Sequence, residues 1–440
     1  MSLEDKVQKI KETFGALKAL GRDPTALEFD RVTSPTEAVL DGKDMILLGT
    51  NNYLGLTFDE ACVAEAKGAI DAYGTGTTGS RIANGTYGLH KSLEERVARF
   101  YGKRSAIVFS TGYLANLGSI SAIAQSGDQL LIDADSHASI YDACKLSDAE
   151  VIRFRHNDPD NLAKKLERLQ DRPGDKIVVT EGIYSMLGDA APLKEMVEVK
   201  KQYGAYLMVD EAHSLGVMGA KGRGLCEQDD VEADCDFIVG TFSKSVGTVG
   251  GFCVSDHEGL NALRSISRPY MFTASLPPAV IAAARQSFDQ IDANPQLRDR
   301  LWRNARILYD GLEALGYKLG PEVSPVVAIM LPGKEIAVRF WNALMDAGVY
   351  TNIAIPPSTP NALSLLRSSI SAAHTRDQIA RALDVFAQVG ADMDLIPANK
   401  ADRRRLAEPE GPLRVVEGGA SPAKPIDAPM VAKEQAKAKG

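Results

Sequence analysis

Between about residues 48 and 285, short apolar runs rich in β-branched residues alternate with stretches of helical period. Ala106–Phe109, Leu130–Ile132, Ile177–Thr180, Tyr206–Val209 and Phe237–Val239 are the runs, and Leu193–Tyr203 is one of the helical stretches. Strands separated by helices must cross over the sheet to pair side by side, so this pattern predicts a mostly parallel sheet covered on both faces, an α/β large domain. A chain of 440 residues with 45% hydrophobic residues has enough apolar material for that core and for a second domain. From 286 to 398 helical patterns dominate (Leu297–Leu315, Lys334–Ala347, Thr375–Val389) beside strand candidates at Val326–Leu331 and Leu365–Ser371, which predicts a smaller C-terminal α+β domain. Residues 1–47 read as an N-terminal arm. Its start is an amphipathic helix (Val7, Ile10, Phe14, Leu17, Leu20) stopped by Gly21 and Pro24. The stretch 399–440 has no aromatic residue, is rich in Ala, Pro and Lys, and is expected to be a disordered tail.

Lys and Arg number 50 against 58 Asp and Glu, a net charge of −8 and the wrong sign for tracking a phosphate backbone, so no nucleic-acid partner is expected. Five cysteines, an odd number without a C-x-x-C pair, fit reduced thiols better than a disulfide set or a zinc site, and no metal is expected. The first residues are charged where a secretory leader is apolar, and no run reaches the roughly 20 apolar residues of a membrane span. These features predict a cytoplasmic protein. The basic residues of the tail leave room for peripheral contact with the inner face of the membrane.

Gly74-Thr-Gly76-Thr-Thr-Gly79 satisfies G-x-G-x-x-G, but a dinucleotide fold needs a strand before it and a helix opening from it. Here Asp59–Tyr73 reads as a helix, and the nicotinamide reading is set aside. The chemistry lies further on. The strand Tyr206–Val209 runs into Asp210, with His213 close behind, and carboxyl ends of strands face the ligand crevice of an open α/β sheet. Thirty-four residues after Asp210, Lys244 follows another strand end among hydroxyls and glycines, Thr241-Phe-Ser-Lys-Ser-Val-Gly247. Singly, Asp210 could cap a helix and Lys244 could be a solvated surface residue. Together they suggest pyridoxal phosphate chemistry, which needs a carboxylate to hold the pyridine nitrogen protonated and a lysine to bond the aldehyde. Gly112 and Tyr113 after strand Ala106–Phe109 would open a helix and offer amides to a phosphate. His137 and His213 are the two of six histidines that follow strand ends in this domain.

The segments Asn51–Leu56, Gly74–Arg81, Thr111–Asn116, Val209–Ser214, Gly240–Gly251 and Leu365–Thr375 together resemble the α-oxoamine synthase family of fold-type-I, aspartate-aminotransferase-like enzymes that use pyridoxal 5'-phosphate (PLP). The resemblance covers about residues 10–395. Within the family, Gly240–Gly251 and Arg268–Pro278 look most like the bacterial branch that condenses L-serine with a long-chain acyl-CoA, an acyltransferase activity of lipid metabolism. Relatives acting on glycine or alanine, or with an acyl-carrier-protein donor, remain the alternative. The resemblance implies that Lys244 bonds PLP, Asp210 pairs with the pyridinium, His137 stacks on the ring and His213 hydrogen-bonds its phenolic oxygen. The phosphate would meet Gly112, Tyr113, Thr241 and, from a second subunit of a homodimer, Thr273. Asn52 and Arg367 would hold the amino-acid carboxylate, the arginine through its planar fork.

Overall fold

A computed structural model describes residues 2–18, 20–356, 359 and 362–397. The chain begins with helix α1 (Leu3–Lys18). Residues 31–47, to which the sequence reading gave no element, are three strands: β1 (Arg31–Ser34), β2 (Glu37–Leu40) and β3 (Lys43–Leu47), paired antiparallel in that order. Helix α2 (Glu60–Tyr73) starts where the Asp59 carboxylate accepts the amides of Ala61 and Cys62, and α3 (Gly88–Tyr101) follows. The element before Gly74 is therefore α2, a helix, and a dinucleotide fold lacks its strand there.

The central sheet has seven strands: β4 (Ser105–Phe109), β5 (Gln129–Asp133), β6 (Glu150–Phe154), β7 (Lys176–Glu181), β8 (Tyr206–Asp210), β9 (Phe237–Thr241) and β10 (Gly251–Ser255). Their order is β4-β10-β9-β8-β7-β5-β6, and every pair is parallel except those of β10, which runs antiparallel to both its neighbours. Alternate residues enter two separate cores. Leu131, Val178, Leu207, Val209 and Ile238 belong to one, while Leu130, Ile132, Ile177, Val179 and Met208 belong to the other. Burial on both faces is why these strands read as unbroken apolar runs. β6 lies at the sheet's edge and is mostly solvent-facing, so its sequence carries no such run. Helices α4 (Gly112–Ile123) and α5 (Ala138–Leu146) leave the carboxyl ends of β4 and β5.

Further on, β11 (Val326–Leu331), β13 (Asn352–Ala354) and β14 (Ser364–Ser369) make an antiparallel sheet in the order β11-β14-β13. Between them in the chain, β12 (Val349–Tyr350) pairs parallel with β3, so a late segment completes the sheet begun by β1–β3. Three long helices, Gln296–Leu315, Lys334–Asp346 and Arg376–Asp392, fall within a few residues of the sequence expectation. No helix among the described residues is long and apolar enough to cross a membrane. All five cysteines are buried and free. The tail expected over 399–440 lies outside the described residues.

Behind the carboxyl ends of β5, β6 and β7, His156 sits between two carboxylates. Its Nδ1 is 2.8 Å from Asp133 Oδ1 and its Nε2 is 2.7 Å from Asp189 Oδ2, with Tyr184 edge-on at 4.5 Å. Burial disfavours the imidazolium, but the hydrogen bonds to Asp133 and Asp189 outweigh it and raise the His156 pKa to about 10. A raised folded-state pKa means that this clamp's stabilisation is fully present below about pH 6.5, the unfolded value, and is lost as pH rises through about 10. His156→Ala leaves two buried carboxylates without their cation. It is expected to cost about 3 kcal/mol in urea denaturation at pH 7, with a smaller deficit at pH 10.

Candidate active site

A cavity of about 270 Å³ opens at the carboxyl ends of β4, β7, β8 and β9, and Gly112, Tyr113, His137, Asp210, His213, Thr241 and Lys244 all line it. Asp210 ends β8 and is 4% exposed. Its Oδ2 accepts the Asn116 side-chain amide at 2.7 Å and its Oδ1 accepts the Ala212 N–H at 2.9 Å. The carboxylate is thereby fixed in place and remains an acceptor.

The first turn of α4 forms one wall. Thr111 caps it by accepting the Leu114 N–H at 3.0 Å, which leaves the Gly112 and Tyr113 amides as the open donors of a helix N-terminus. A Cβ on Gly112 would lie 2.7 Å from the Thr241 side chain, so glycine is what lets the helix start against the end of β9. The Thr241 hydroxyl hydrogen-bonds Ser243 Oγ at 2.8 Å and donates to the Gly250 carbonyl at 3.0 Å. Amides, a hydroxyl and the positive helix end make an anion seat. The Tyr113 ring stands at the mouth, its hydroxyl donating to Asp142.

Lys244 follows β9 on a turn and is half-buried. Burial, reinforced by the charge of Arg367 and opposed by Asp210 and Glu181, lowers its ammonium pKa to about 8. Near neutral pH a useful fraction of the amine is therefore unprotonated and nucleophilic. Burial, followed by the charges of Lys244, Arg367 and His137, holds His213 well below the usual imidazole range, so it is neutral. His137 caps α5: its Nδ1 accepts the Ser139 N–H at 3.2 Å and lies 2.7 Å from Ser139 Oγ. Asn116 Nδ2 also reaches Ser139 Oγ, at 2.9 Å, so Asp210 and His137 share one hydrogen-bond network.

Three residues singled out from the sequence lie elsewhere. Thr273 borders a separate small cavity with Arg81, His90 and Tyr270. Asn52 is buried, donates to Thr57 Oγ1 at 2.7 Å and leaves its own Oδ1 without a partner. Arg367, on β14 and 7% exposed, donates to the Ser185 carbonyl at 2.5 Å and, through both terminal nitrogens, to Asn51 Oδ1 at 3.0 Å. No ion pair to Arg367 is found among the described residues. A buried fork satisfied by a neutral amide is a ready seat for a carboxylate.

The sequence reading gave no role to Glu181, Ser139, Tyr53 or Asn116. Glu181 ends β7 in register with Asp210, lines the cavity and accepts the His137 N–H at 2.5 Å. Burial, with Asp210 adding to it, pushes its carboxyl well above the ordinary range. Its signal was an acid closing an apolar strand, the same one that marked Asp210.

Several known proteins are similar to this chain in sequence and fold. A serine palmitoyltransferase of Caulobacter vibrioides is 56% identical over 403 residues, covering 92% of this chain and all of that protein. One from Sphingomonas paucimobilis is 53% identical over 376 residues, 85% of this chain and 89% of its own. The solved structure of a lysine-to-alanine variant of the S. paucimobilis enzyme, with a bound PLP–myriocin adduct, superposes with a TM-score of 0.88 at 50% identity, over 90% of this chain and all of that one. The aspartate-aminotransferase-like fold expected from the resemblance is the fold observed. The sequence model for aminotransferase class I and II spans residues 43–386, from β3 to the last long helix, and the chain belongs to that family.

Proposed function

We propose that this chain is a PLP-dependent serine palmitoyltransferase. It condenses L-serine with a long-chain acyl-CoA to give 3-ketodihydrosphingosine, CoA and CO₂, the entry step of sphingolipid synthesis. The observation that carries the reading is the meeting, in one cavity, of an amine of lowered basicity (Lys244) with a buried carboxylate at a strand end (Asp210).

The residues fit PLP. A helix N-terminus with free amides and a glycine that no larger residue could replace suits its phosphate, and a carboxylate held by two donors suits its pyridinium. Bound PLP supplies an electron sink that stabilises negative charge on the carbon beside the amino group. Lys244 would bond the cofactor's aldehyde through Nζ, and the same Nζ would carry the serine Cα proton and return it. Asp210 would keep the pyridine nitrogen protonated, His213 would donate to the phenolic oxygen, and His137 would cover the ring face. Gly112, Tyr113, Thr241 and the partner subunit's Thr273 hold the phosphate. Asn52 and Arg367 fix the serine carboxylate so that carbon dioxide leaves only after the acyl group has been joined, which is control of reaction order by geometry.

Residues 48–285 then form the PLP-binding domain and 286–398 the small domain, with 1–47 an arm. The protein works in the cytoplasm as a homodimer whose sites lie between subunits, and its basic C-terminal stretch touches anionic lipid. Mass spectrometry of products from serine, glycine and alanine with acyl-CoAs of graded length tests the activity. Serine with a long-chain donor is expected to give the 3-keto base. Preference for glycine or alanine overturns the assignment, and failure of the same protein to co-sediment with anionic vesicles removes the lipid contact.

A further inference from the structure

We propose that Tyr53 is a positioning residue for this reaction: its hydroxyl joins the Arg367 guanidinium to the His213 imidazole and fixes His213 as the tautomer with its hydrogen on Nε2. The inference rests on the function proposed above, in which Arg367 receives the substrate carboxylate and His213 meets the cofactor.

Tyr53 is 0% exposed and held through its backbone, its N–H donating to the Asn51 carbonyl at 2.8 Å and its carbonyl accepting the Ala372 N–H at 2.7 Å. Its hydroxyl oxygen lies 3.3 Å from an Arg367 terminal nitrogen, 2.7 Å from His213 Nδ1 and 3.4 Å from Asn51 Oδ1. Arginine only donates, so the phenol oxygen accepts from it. The Ser369 hydroxyl also faces the phenol but makes no hydrogen bond to any described residue, so the phenol hydrogen has two acceptors at hydrogen-bond geometry. Asn51 Oδ1 is the more distant and already receives both arms of the guanidinium, whereas His213 Nδ1 is close and has no other hydrogen-bond partner among the described residues. The hydrogen goes to Nδ1, and the neutral ring must carry its own hydrogen on Nε2, the remaining polar atom of a residue that lines the cavity. Burial keeps the Tyr53 phenol protonated, so the donor persists. The chain Arg367–Tyr53–His213 thus connects a carboxylate seat outside the cavity to a hydrogen-bond donor inside it.

Tyr53→Phe removes the hydroxyl and keeps the ring. In the PLP-loaded variant we expect a shifted visible absorption band and a kcat about tenfold lower, with serine KM changed far less because Asn51 and Ser185 still hold Arg367. A role confined to packing would lower thermal stability or cofactor content but leave the band and kcat per bound cofactor as in the wild type, and that result overturns the inference. A wild type lacking any Lys244-dependent visible band would instead overturn the proposed function. Should the variant not fold, the imidazole nitrogens of ¹⁵N-histidine-labelled wild-type apoprotein, with His213 assigned by a His213→Asn variant, decide the matter. Nε2–H is expected, and Nδ1–H refutes the proposal.

Discussion

Lys244→Ala is expected to lower kcat by about 10³–10⁴-fold while leaving the protein folded. The size follows from the loss of two tasks at once, covalent attachment of the cofactor and transfer of the Cα proton. Alanine supplies neither an electron pair nor a proton. Folding is spared because the lysine is only half-buried and follows β9 on a turn rather than within it. Its amine lies near pKa 8 because burial outweighs the attraction of Asp210, so it contributes no strong ion pair whose loss the fold would feel. The measurement has two parts. Wild-type protein incubated with PLP is expected to turn yellow and, after borohydride, to yield one tagged peptide containing Lys244. The alanine variant is expected to lose the tag and to keep its circular dichroism spectrum. A tag on another lysine would sink the assignment.

Asp210→Asn is expected to reduce kcat by about 10²–10³-fold with the cofactor still bound, a magnitude typical of removing one electrostatic partner of developing charge. An amide is the same size as the carboxylate, and the Ala212 N–H can still find an oxygen. What disappears is the negative charge that keeps the pyridine nitrogen protonated, so electrons from the Cα carbanion lose their sink. The anion seat at Gly112 and Thr241 is untouched, which is why PLP affinity is expected to fall much less than turnover. Stopped-flow absorbance would show slow Cα proton loss from serine, and exchange of that proton with D₂O would slow by the same factor. Exchange at the wild-type rate would show that Asp210 has another role.

Five strands of the central sheet could be read because each is a buried apolar run, and the acid that ends β8 stands out against that background; β10 is just as buried but was not read, and the acid that ends β7 was passed over. β6 escaped because most of its own residues are exposed, unlike those of β4 at the opposite edge. β1–β3 pair with one another through short turns, and the Asp41-Gly42 pair between β2 and β3, both at positive φ, was a local hairpin signal passed over; only their pairing with β12, some three hundred residues later, leaves no local trace. The site divides in the same way. Asp210, His213 and Lys244 announce themselves as polar residues just past apolar strands. Asn52 and Arg367 were named only through family resemblance, because an arginine inside an apolar strand looks like any surface ion pair until its lack of a carboxylate is seen. Tyr53 meets His213 and Arg367, 160 and 314 positions away, and only the folded chain brings them together.

The stitching of the chain's two ends has a consequence for biosynthesis. Leu48 and Tyr53 receive backbone hydrogen bonds from Ser369 and Ala372, and Ser371 Oγ donates to the Asn52 carbonyl. A polypeptide emerging from the ribosome exposes the whole PLP cavity wall, through residue 255, more than a hundred residues before the segment after β14 that pins Asn52 and Tyr53 is made. At about 5–20 residues per second that interval lasts several seconds or more. A nascent chain in that window would be able to capture the cofactor but not to hold an amino acid in register, so substrate competence arrives after cofactor capture.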